Sequence, residues 1–241
     1  MQAWDKIPDT AKDADGAYYA DYTGIMSVGW NADKYGDISS LDDLLDPKFA
    51  GTVALNGKPA EAGAAFNGCL MANQLAGGDI NNLQPGRDYF KKLKEAGNLT
   101  TVDVTNGTID SGQTGVVFDW TYNQASYKKE LKDKGVNWKY KTFPKAQVVS
   151  YYNQAINKDA PHPAAARLWE EYLYTADAQN LWFKGGANPV LLDSMKEDGT
   201  VDQATLKDAI TIEGEPVSYT NDDSTRITEW LQNNWDKTIG N

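Results

Sequence analysis

Short apolar segments and amphipathic helical segments alternate along this chain, and this alternation constrains its fold more than any other feature. The segments GTVALNG, TTVDV and GVVFD each have the length and composition of a buried strand. Between them lie EAGAAFNGCLMANQLAGG and GRDYFKKLKEAG, whose apolar residues recur at helical spacing and which end at glycines. Strands that alternate with helices in this way predict an α/β fold with crossover connections.

Two other parts of the chain have a different character. The segments YYADYTGIMSVGWN and QVVSYYNQAI are rich in β-forming residues and predict extended chain. The last third is helical, with a helix that begins at Pro163 and carries Leu168, Trp169, Tyr172 and Leu173 as an apolar stripe. A further helix follows in STRITEWLQNNWDKTI. These apolar faces imply that the helices pack on another part of the structure.

Composition excludes several classes of function. The chain has 241 residues, 41% of them hydrophobic, which is enough for a substantial core. Its formal net charge of −11 disfavours nucleic acid and anionic membranes as partners. With one cysteine, Cys69, and one histidine, His162, no internal disulfide and no Cys/His zinc cluster can form. We expect no metal site of this kind and no cofactor.

A binding module is favoured over an enzyme, because the chain has no nucleophile motif and no phosphate-binding loop. One alternative is a hydrolase for a small polar substrate, in which Asp119 and Glu61 serve as acid and base. Another is a structural or interaction domain whose aromatic residues are all core. His162, which lies between two prolines, is not expected to be catalytic.

The order of several motifs resembles a known family. These motifs are YTGIMSVGWN, SLDDLLDPKFAGTVALNGKP, DSGQTGVVFDW and AINKDAPHPAAARLWEEYLYTADAQNLWFKGGANPV, followed by an aromatic C-terminal helix. Together they resemble the solute-binding proteins of bacterial ABC importers, in the group that serves iron(III), polyamines, thiamine and phosphonates. The likeness covers nearly the whole chain, and the block APHPAAARLWEEYL…AQ…GGANPV is its most specific part.

The resemblance implies an α/β fold of two lobes, the type II periplasmic-binding-protein architecture, with the solute held in a cleft between them. Residues 28–145 would form one complete lobe, and residues 1–27 and 146–241 would belong to the other, with hinge strands near 18–31 and 147–156. Compared with the family pattern the N-terminal third is missing, so we expect the second lobe to be incomplete. The C-terminal helices with Trp169, Trp230 and Trp235 would then lack the sheet that they normally cover, so their apolar faces would be exposed or covered by another chain. We therefore expect a fragment, or a chain that dimerises or associates through that lobe.

The resemblance also implies a partner and a location. Such a protein delivers a small-molecule solute to an ABC permease and lies in the periplasm or on the extracellular face. It can be anchored as a lipoprotein, although this sequence contains no signal segment.

Candidate binding residues lie where strands end. Ligands of open α/β sheets bind beyond the carboxyl ends of strands, and Asp119, Trp120 and Tyr122 follow the strand GVVF. A second segment, Glu61, Ala62 and Gly63, follows the strand TVAL at a helix start, where backbone N–H groups can bind an anion. An exposed first-turn acid is an equally good interpretation of Glu61.

The extended segments add Tyr22 and Tyr152 to the candidate set. An aromatic face with a nearby carboxylate suits an amine, so a small polar, cationic, polyamine-like solute is our first hypothesis. Iron(III) and phosphonate are the alternatives within the family. Iron is less favoured because Trp120-Thr121-Tyr122 stands where iron-binding relatives carry adjacent tyrosines.

Overall fold

The computed structural model describes residues 1–240, and the chain forms two structural units. The smaller unit comprises residues 1–24 and 150–211. The larger unit comprises residues 25–149 and the residues from 212 onwards. The chain therefore passes between the units three times.

The elements alternate as an α/β fold requires, which confirms the predicted fold class. The strands are β1 (Tyr19–Asn31), β2 (Val53–Leu55), β3 (Val116–Trp120), β4 (Trp138–Lys141), β5 (Val149–Gln154) and β6 (Asn188–Pro189). The α-helices are α1 (Ala32–Tyr35), α2 (Gly63–Leu75), α3 (Gln84–Glu95), α4 (Asn106–Asp110), α5 (Thr121–Glu130), α6 (Pro163–Leu173), α7 (Ala176–Lys184), α8 (Leu192–Glu197), α9 (Gln203–Asp208) and α10 (Asn221–Thr238). Short 3-10 helices lie at Trp4–Lys6, Asp9–Ala11, Leu41–Leu45, Pro47–Phe49, Lys132–Lys134 and Pro144–Ala146.

The larger unit is built on a mixed sheet with the strand order β2-β3-β1-β4. Strand β2 runs parallel to β3, whereas β1 is antiparallel to both β3 and β4. The segment TTVDV does not form the expected strand: Leu99 bridges Val53, and the chain beyond it is irregular. Because β2 and β3 are parallel, their carboxyl ends lie side by side.

Both faces of this sheet are covered. On one face Val116, Phe118 and Trp120 pack in a core that also contains side chains of α2, α3 and α10. On the other face Val117 packs with Ile109, Leu131, Val136 and Trp138. The alternation of β3 side chains between two cores explains why this strand is apolar at nearly every position.

The smaller unit combines the first part of β1 with β5, β6 and helices α6 to α9. Strand β6 pairs antiparallel with β1, with Tyr22 opposite Pro189. Its core contains Ala20, Leu173, Phe183 and Met195. The unit therefore has an apolar core of its own, separate from those of the larger unit.

The units do not follow the expected lobe boundaries of 28–145 against 1–27 and 146–241. Helix α10 belongs to the larger unit because Ile227, Leu231 and Trp235 are buried in its core. Two of the three passages, at 24/25 and 149/150, fall inside the segments 18–31 and 147–156. Whether these segments act as hinges stays a prediction.

Helix α6 begins at Pro163 as expected, and most of its apolar stripe is exposed. Leu168, Trp169 and Tyr172 are 73%, 59% and 44% exposed, whereas Glu170 and Leu173 face inwards. Glu170 accepts a hydrogen bond from the Tyr19 hydroxyl, which fixes this rotation of the helix. The expected association of the chain through an incomplete lobe stays a prediction.

Candidate functional site

Asp119 is buried at the carboxyl end of β3, where hydrogen-bond donors surround its carboxylate. Asn56 Nδ2 and the Tyr127 hydroxyl donate to Oδ2, at 2.7 and 3.0 Å. Asn123 Nδ2 and the Trp120 backbone N–H donate to Oδ1, at 2.9 and 2.7 Å. Asp119 is 0% exposed, so its carboxylate is not accessible to a solute in this conformation.

Neutral groups stabilise the negative charge of Asp119 through hydrogen bonds. Burial raises the pKa of its carboxyl, while the hydrogen bonds from Asn123, the Trp120 N–H, Asn56 and Tyr127 lower it. Burial and the negative charge of Asp119 in turn raise the pKa of the Tyr127 phenol, which stays protonated and continues to donate. The carboxylate thus creates a fixed negative potential at this end of the sheet.

Trp120 and Tyr122 lie at the junction of β3 and α5. Their rings stack, with centroids 6.3 Å apart and planes at 16°. Trp120 is only 4% exposed and belongs to the apolar core, whereas Tyr122 is half-buried against that core. Of the two rings, Tyr122 therefore offers the accessible surface, and Trp120 supports it from behind.

The segment Glu61, Ala62 and Gly63 lies at the start of α2, close to the end of β2. Ala62 precedes the helix, and no side chain caps the helix N-terminus. The Glu61 side chain is 71% exposed, and its Oε1 lies 3.9 Å from Lys58 Nζ. Glu61 therefore has the character of an ordinary surface acid. A groove of about 450 Å³ runs beside this segment, between Thr100–Asp103 and α10.

The smaller unit carries a stack of three aromatic rings. Tyr22 lies between Tyr152 and Trp182, with ring centroids 4.9 and 4.5 Å away and interplanar angles of 17° and 26°. Tyr152 is 43% exposed, and Tyr22 and Trp182 are half-buried. Stacked planar rings with an exposed member can bind an apolar or cationic group.

A second buried aspartate lies beside this stack. Asp21 is 0% exposed and accepts hydrogen bonds from Gln179 Nε2 at 3.0 Å and Gln154 Nε2 at 3.2 Å. Burial raises the pKa of Asp21 to about 6, although the side chains of Gln179, Gln154 and Trp182 favour its charged form. Asp21 was not among the residues that the sequence pointed to.

The structure thus brings some of the candidates together within each unit. Asp119, Trp120 and Tyr122 form one cluster in the larger unit, and Tyr22 and Tyr152 are in ring contact in the smaller unit. Glu61, Ala62 and Gly63 follow β2, whose neighbour Asn56 reaches Asp119. That these residues bind a solute stays a prediction.

Sequence reasoning missed the residues that hold the carboxylates in place. Asn123 and Tyr127 lie four and eight positions after Asp119 on α5, so helical periodicity could have indicated them once the helix start was known. Asn56 could have been found because it follows β2 just as Asp119 ends the parallel β3. No local signal indicates Gln179 or Trp182, which reach Asp21 and Tyr22 only through the fold.

The described part of the chain contains neither a metal-binding cluster nor a membrane-spanning helix. Residues 1–240 contain no group of three or more His, Cys, Asp or Glu side chains arranged to hold a metal ion. Over the same residues, no helix combines the length and apolar character needed to cross a bilayer.

Solved structures of bacterial binding proteins share this fold. AfuA of Actinobacillus pleuropneumoniae, with fructose-6-phosphate bound, has 19% sequence identity and a TM-score of 0.69, over 98% of this chain and 73% of that protein. Iron-bound HitA of Pseudomonas aeruginosa has 20% identity and a TM-score of 0.66, over 98% and 74%. A Listeria monocytogenes protein named for spermidine/putrescine transport has 13% identity and a TM-score of 0.64, over 97% and 74%.

At these identities the likeness shows the fold, while the proteins concerned are named for quite different solutes. No curated protein sequence matches the chain. A family model described as bacterial extracellular solute-binding protein matches residues 1–209, which is most of the sequence. The chain belongs to the family of bacterial extracellular solute-binding proteins.

Proposed function

We propose that this solute-binding protein captures a small amine-bearing cation, such as a polyamine, and delivers it to the permease of an ABC importer. Family membership supports an extracytoplasmic binding role, and a role without catalysis is part of the proposal. Its location in the periplasm or at the cell surface, and a lipid anchor, are part of the proposal. The proposed choice of solute depends on the chemistry of the protein's own side chains.

The observation that carries the proposal is the Trp120–Tyr122 ring pair beside the buried charge of Asp119. A cation over an aromatic face gains about 0.5–2 kcal/mol. Asp119 is buried, so it attracts the cation through its field, which is weakly screened inside the protein. Tyr122 is the ring with accessible surface and is therefore the proposed contact.

The side chains of this cluster suit iron(III) less well. Direct iron binding requires several anionic oxygen or nitrogen ligands converging on one point, and the Asp119 oxygens already accept four hydrogen bonds. A phosphonate would need cationic or N–H donors, and an anion at this position would be repelled by Asp119. The uncapped start of α2 is the part of the larger unit best suited to an anion.

Isothermal titration calorimetry of the chain with putrescine and spermidine tests the proposal. The comparison ligands are ferric ion, a phosphonate and fructose-6-phosphate. We expect the amines to bind and the anions and ferric ion not to bind. Tight binding of ferric ion or of a phosphonate, with no heat from either amine, would refute the proposal.

Variants of Tyr122 test the proposed contact. Tyr122→Ala removes the ring and should weaken amine binding about 2- to 30-fold, which corresponds to 0.5–2 kcal/mol. Tyr122→Phe keeps the aromatic face and is the matched control, with binding close to that of the unmodified protein. If both variants bind amines as the parent does, Tyr122 is not a contact.

A further inference from the structure

The smaller unit contains a buried carboxylate, that of Asp21, whose hydrogen-bond donors are all neutral. Gln179 and Gln154 donate to Asp21, and no lysine, arginine or histidine within residues 1–240 forms an ion pair with it. Burying a charge without a counter-charge is costly. A residue that costs stability in this way is a candidate for a binding role.

The groups around Asp21 do not neutralise it. The titratable side chains packed near it are the phenols of Tyr19, Tyr22 and Tyr174 and the carboxyl of Glu170. Burial raises the pKa of all three phenols, so they remain neutral. A cation that approached this region would therefore meet uncompensated negative potential.

Gln154 connects this buried charge to the surface. Its Nε2 donates to Asp21 Oδ2, and this orients the amide so that its Oε1 acceptor points away from the carboxylate. A hydrogen bond to a carboxylate polarises the amide and makes Oε1 a stronger acceptor. Gln154 is only half-buried, so part of this residue is in contact with solvent.

Tyr152 lies beside Gln154 on the same face of β5, two positions earlier in the strand. Its ring is 43% exposed and is held in place by stacking on Tyr22, which stacks in turn on Trp182. A fixed aromatic ring next to a polarised carbonyl provides the two contacts that an alkylammonium group uses, one for its charge and one for its N–H bonds.

We propose that Tyr152 and Gln154 form a subsite for an alkylammonium group, and that Asp21 strengthens binding at this subsite by polarising Gln154. This inference rests on the proposed function and extends it to named residues of the smaller unit. Asp21 is here a positioning residue, because it acts on the ligand through Gln154. Protonation of Asp21 would remove the effect, so ammonium binding at this subsite should weaken as the pH falls below about 6.

Calorimetry with putrescine tests the subsite in the full chain. Gln154→Leu removes the acceptor and should weaken binding about tenfold. Asn153→Leu, an equivalent change at an exposed position on the opposite face of β5, is the matched control and should leave affinity unchanged. Equal affinities of these two variants would overturn the subsite, while amine binding by both would leave the proposed function standing.

The role of Asp21 is tested by non-additivity. Asp21→Asn should weaken putrescine binding and reduce the pH dependence of that binding between pH 5 and 7. In a protein that already carries Gln154→Leu, the same substitution should add little. Full additivity of the two substitutions would contradict the polarisation mechanism. If Asp21→Asn does not fold, the pH dependence is compared in the parent and in Gln154→Leu, and a dependence of equal size in both refutes the mechanism.

If the parent protein binds no amine at any pH, the subsite and the proposed function both fail.

Discussion

Two aspartates, Asp21 and Asp119, are buried and hydrogen-bonded to amide and phenol groups, one in each unit. Each is followed in the sequence by an aromatic residue that takes part in a ring stack. A buried charge held by dipoles keeps a fixed position and a strong field. In the two proposed sites the buried acid would provide the negative potential, and a nearby ring would provide the contact surface.

Gly29 shows how closely β1 is packed against the helix that follows β3. A methyl group added there would lie 2.8 Å from Trp138 Nε1 and closer still to Gln124 Oε1. These two atoms are themselves joined by a buried hydrogen bond of 2.8 Å. The strand has no space for a side chain at this position.

We therefore predict that Gly29→Ala destabilises the protein, although this substitution reduces the flexibility of the unfolded chain. The overpacking should cost about 1–3 kcal/mol, with more if the Gln124–Trp138 bond breaks. Urea denaturation followed by circular dichroism measures the loss. Gly107→Ala is the control, because its nearest contact would be an ordinary 3.7 Å to Thr105 Oγ1. Equal stability of the two variants would contradict the packing argument.

At the level of elements, local signals predicted where helices begin and which residues share a face. Helix α3 buries Phe90 and Leu93 as its periodicity indicated, and α6 begins at Pro163. Periodicity does not say which element a face will meet. For that reason periodicity alone does not give the exposure of the α6 stripe, or the place of α10 in the larger unit instead of the lobe expected for it.

Helix α10 is the element whose assignment depended most on tertiary packing. Trp235 is 8% exposed and lies 5.2 Å from Phe90 of α3, ring centroid to ring centroid. Trp230, on the same helix, is only half-buried against the same core. We predict that Trp235→Ala costs about 3–5 kcal/mol of unfolding free energy, and Trp230→Ala clearly less.

Urea midpoints of the two tryptophan variants, followed by far-UV circular dichroism, check this order. A larger loss for Trp230→Ala would mean that α10 is rotated relative to the structure. No loss for either variant would mean that α10 does not stabilise the larger unit.

At the level of the whole molecule, the order of motifs along the chain was sufficient to predict the fold class and the family. Those properties depend on many weak signals that add up over the sequence. Which solute the protein binds depends on a few side chains. The surroundings of these side chains are formed by residues far apart in the sequence, such as Asp21 and Gln179. The candidate clusters could be partly anticipated, but the burial of Asp119 and the position of Asp21 next to the Tyr22 ring stack could not.

The pH dependence of stability separates Asp21 and Asp119, whose pKa values burial raises, from the acids whose pKa values are lowered. The pKa of Asp21 rises from its ordinary 3.8 to about 6, mainly through burial. A raised pKa contributes stability that is fully present below 3.8 and is lost as the pH rises through 6. Asp43, Asp202 and Asp223 have pKa values lowered to about 2 by hydrogen bonds, so their contribution is lost only below 3.8.

Between pH 7.5 and 5 we therefore predict that the protein becomes more stable, and that Asp21 accounts for part of the gain. The remainder comes from Asp119, whose pKa burial also raises, and from weaker repulsion as the net charge of −11 is reduced. Thermal unfolding at the two pH values should show a midpoint several degrees higher at pH 5. Asp21→Asn should lower that difference, whereas Asp177→Asn, an exposed acid of α7, should retain it. If the two variants respond to pH alike, then Asp21 is not the residue that takes up the stabilising proton, and its burial does not impose the inferred cost.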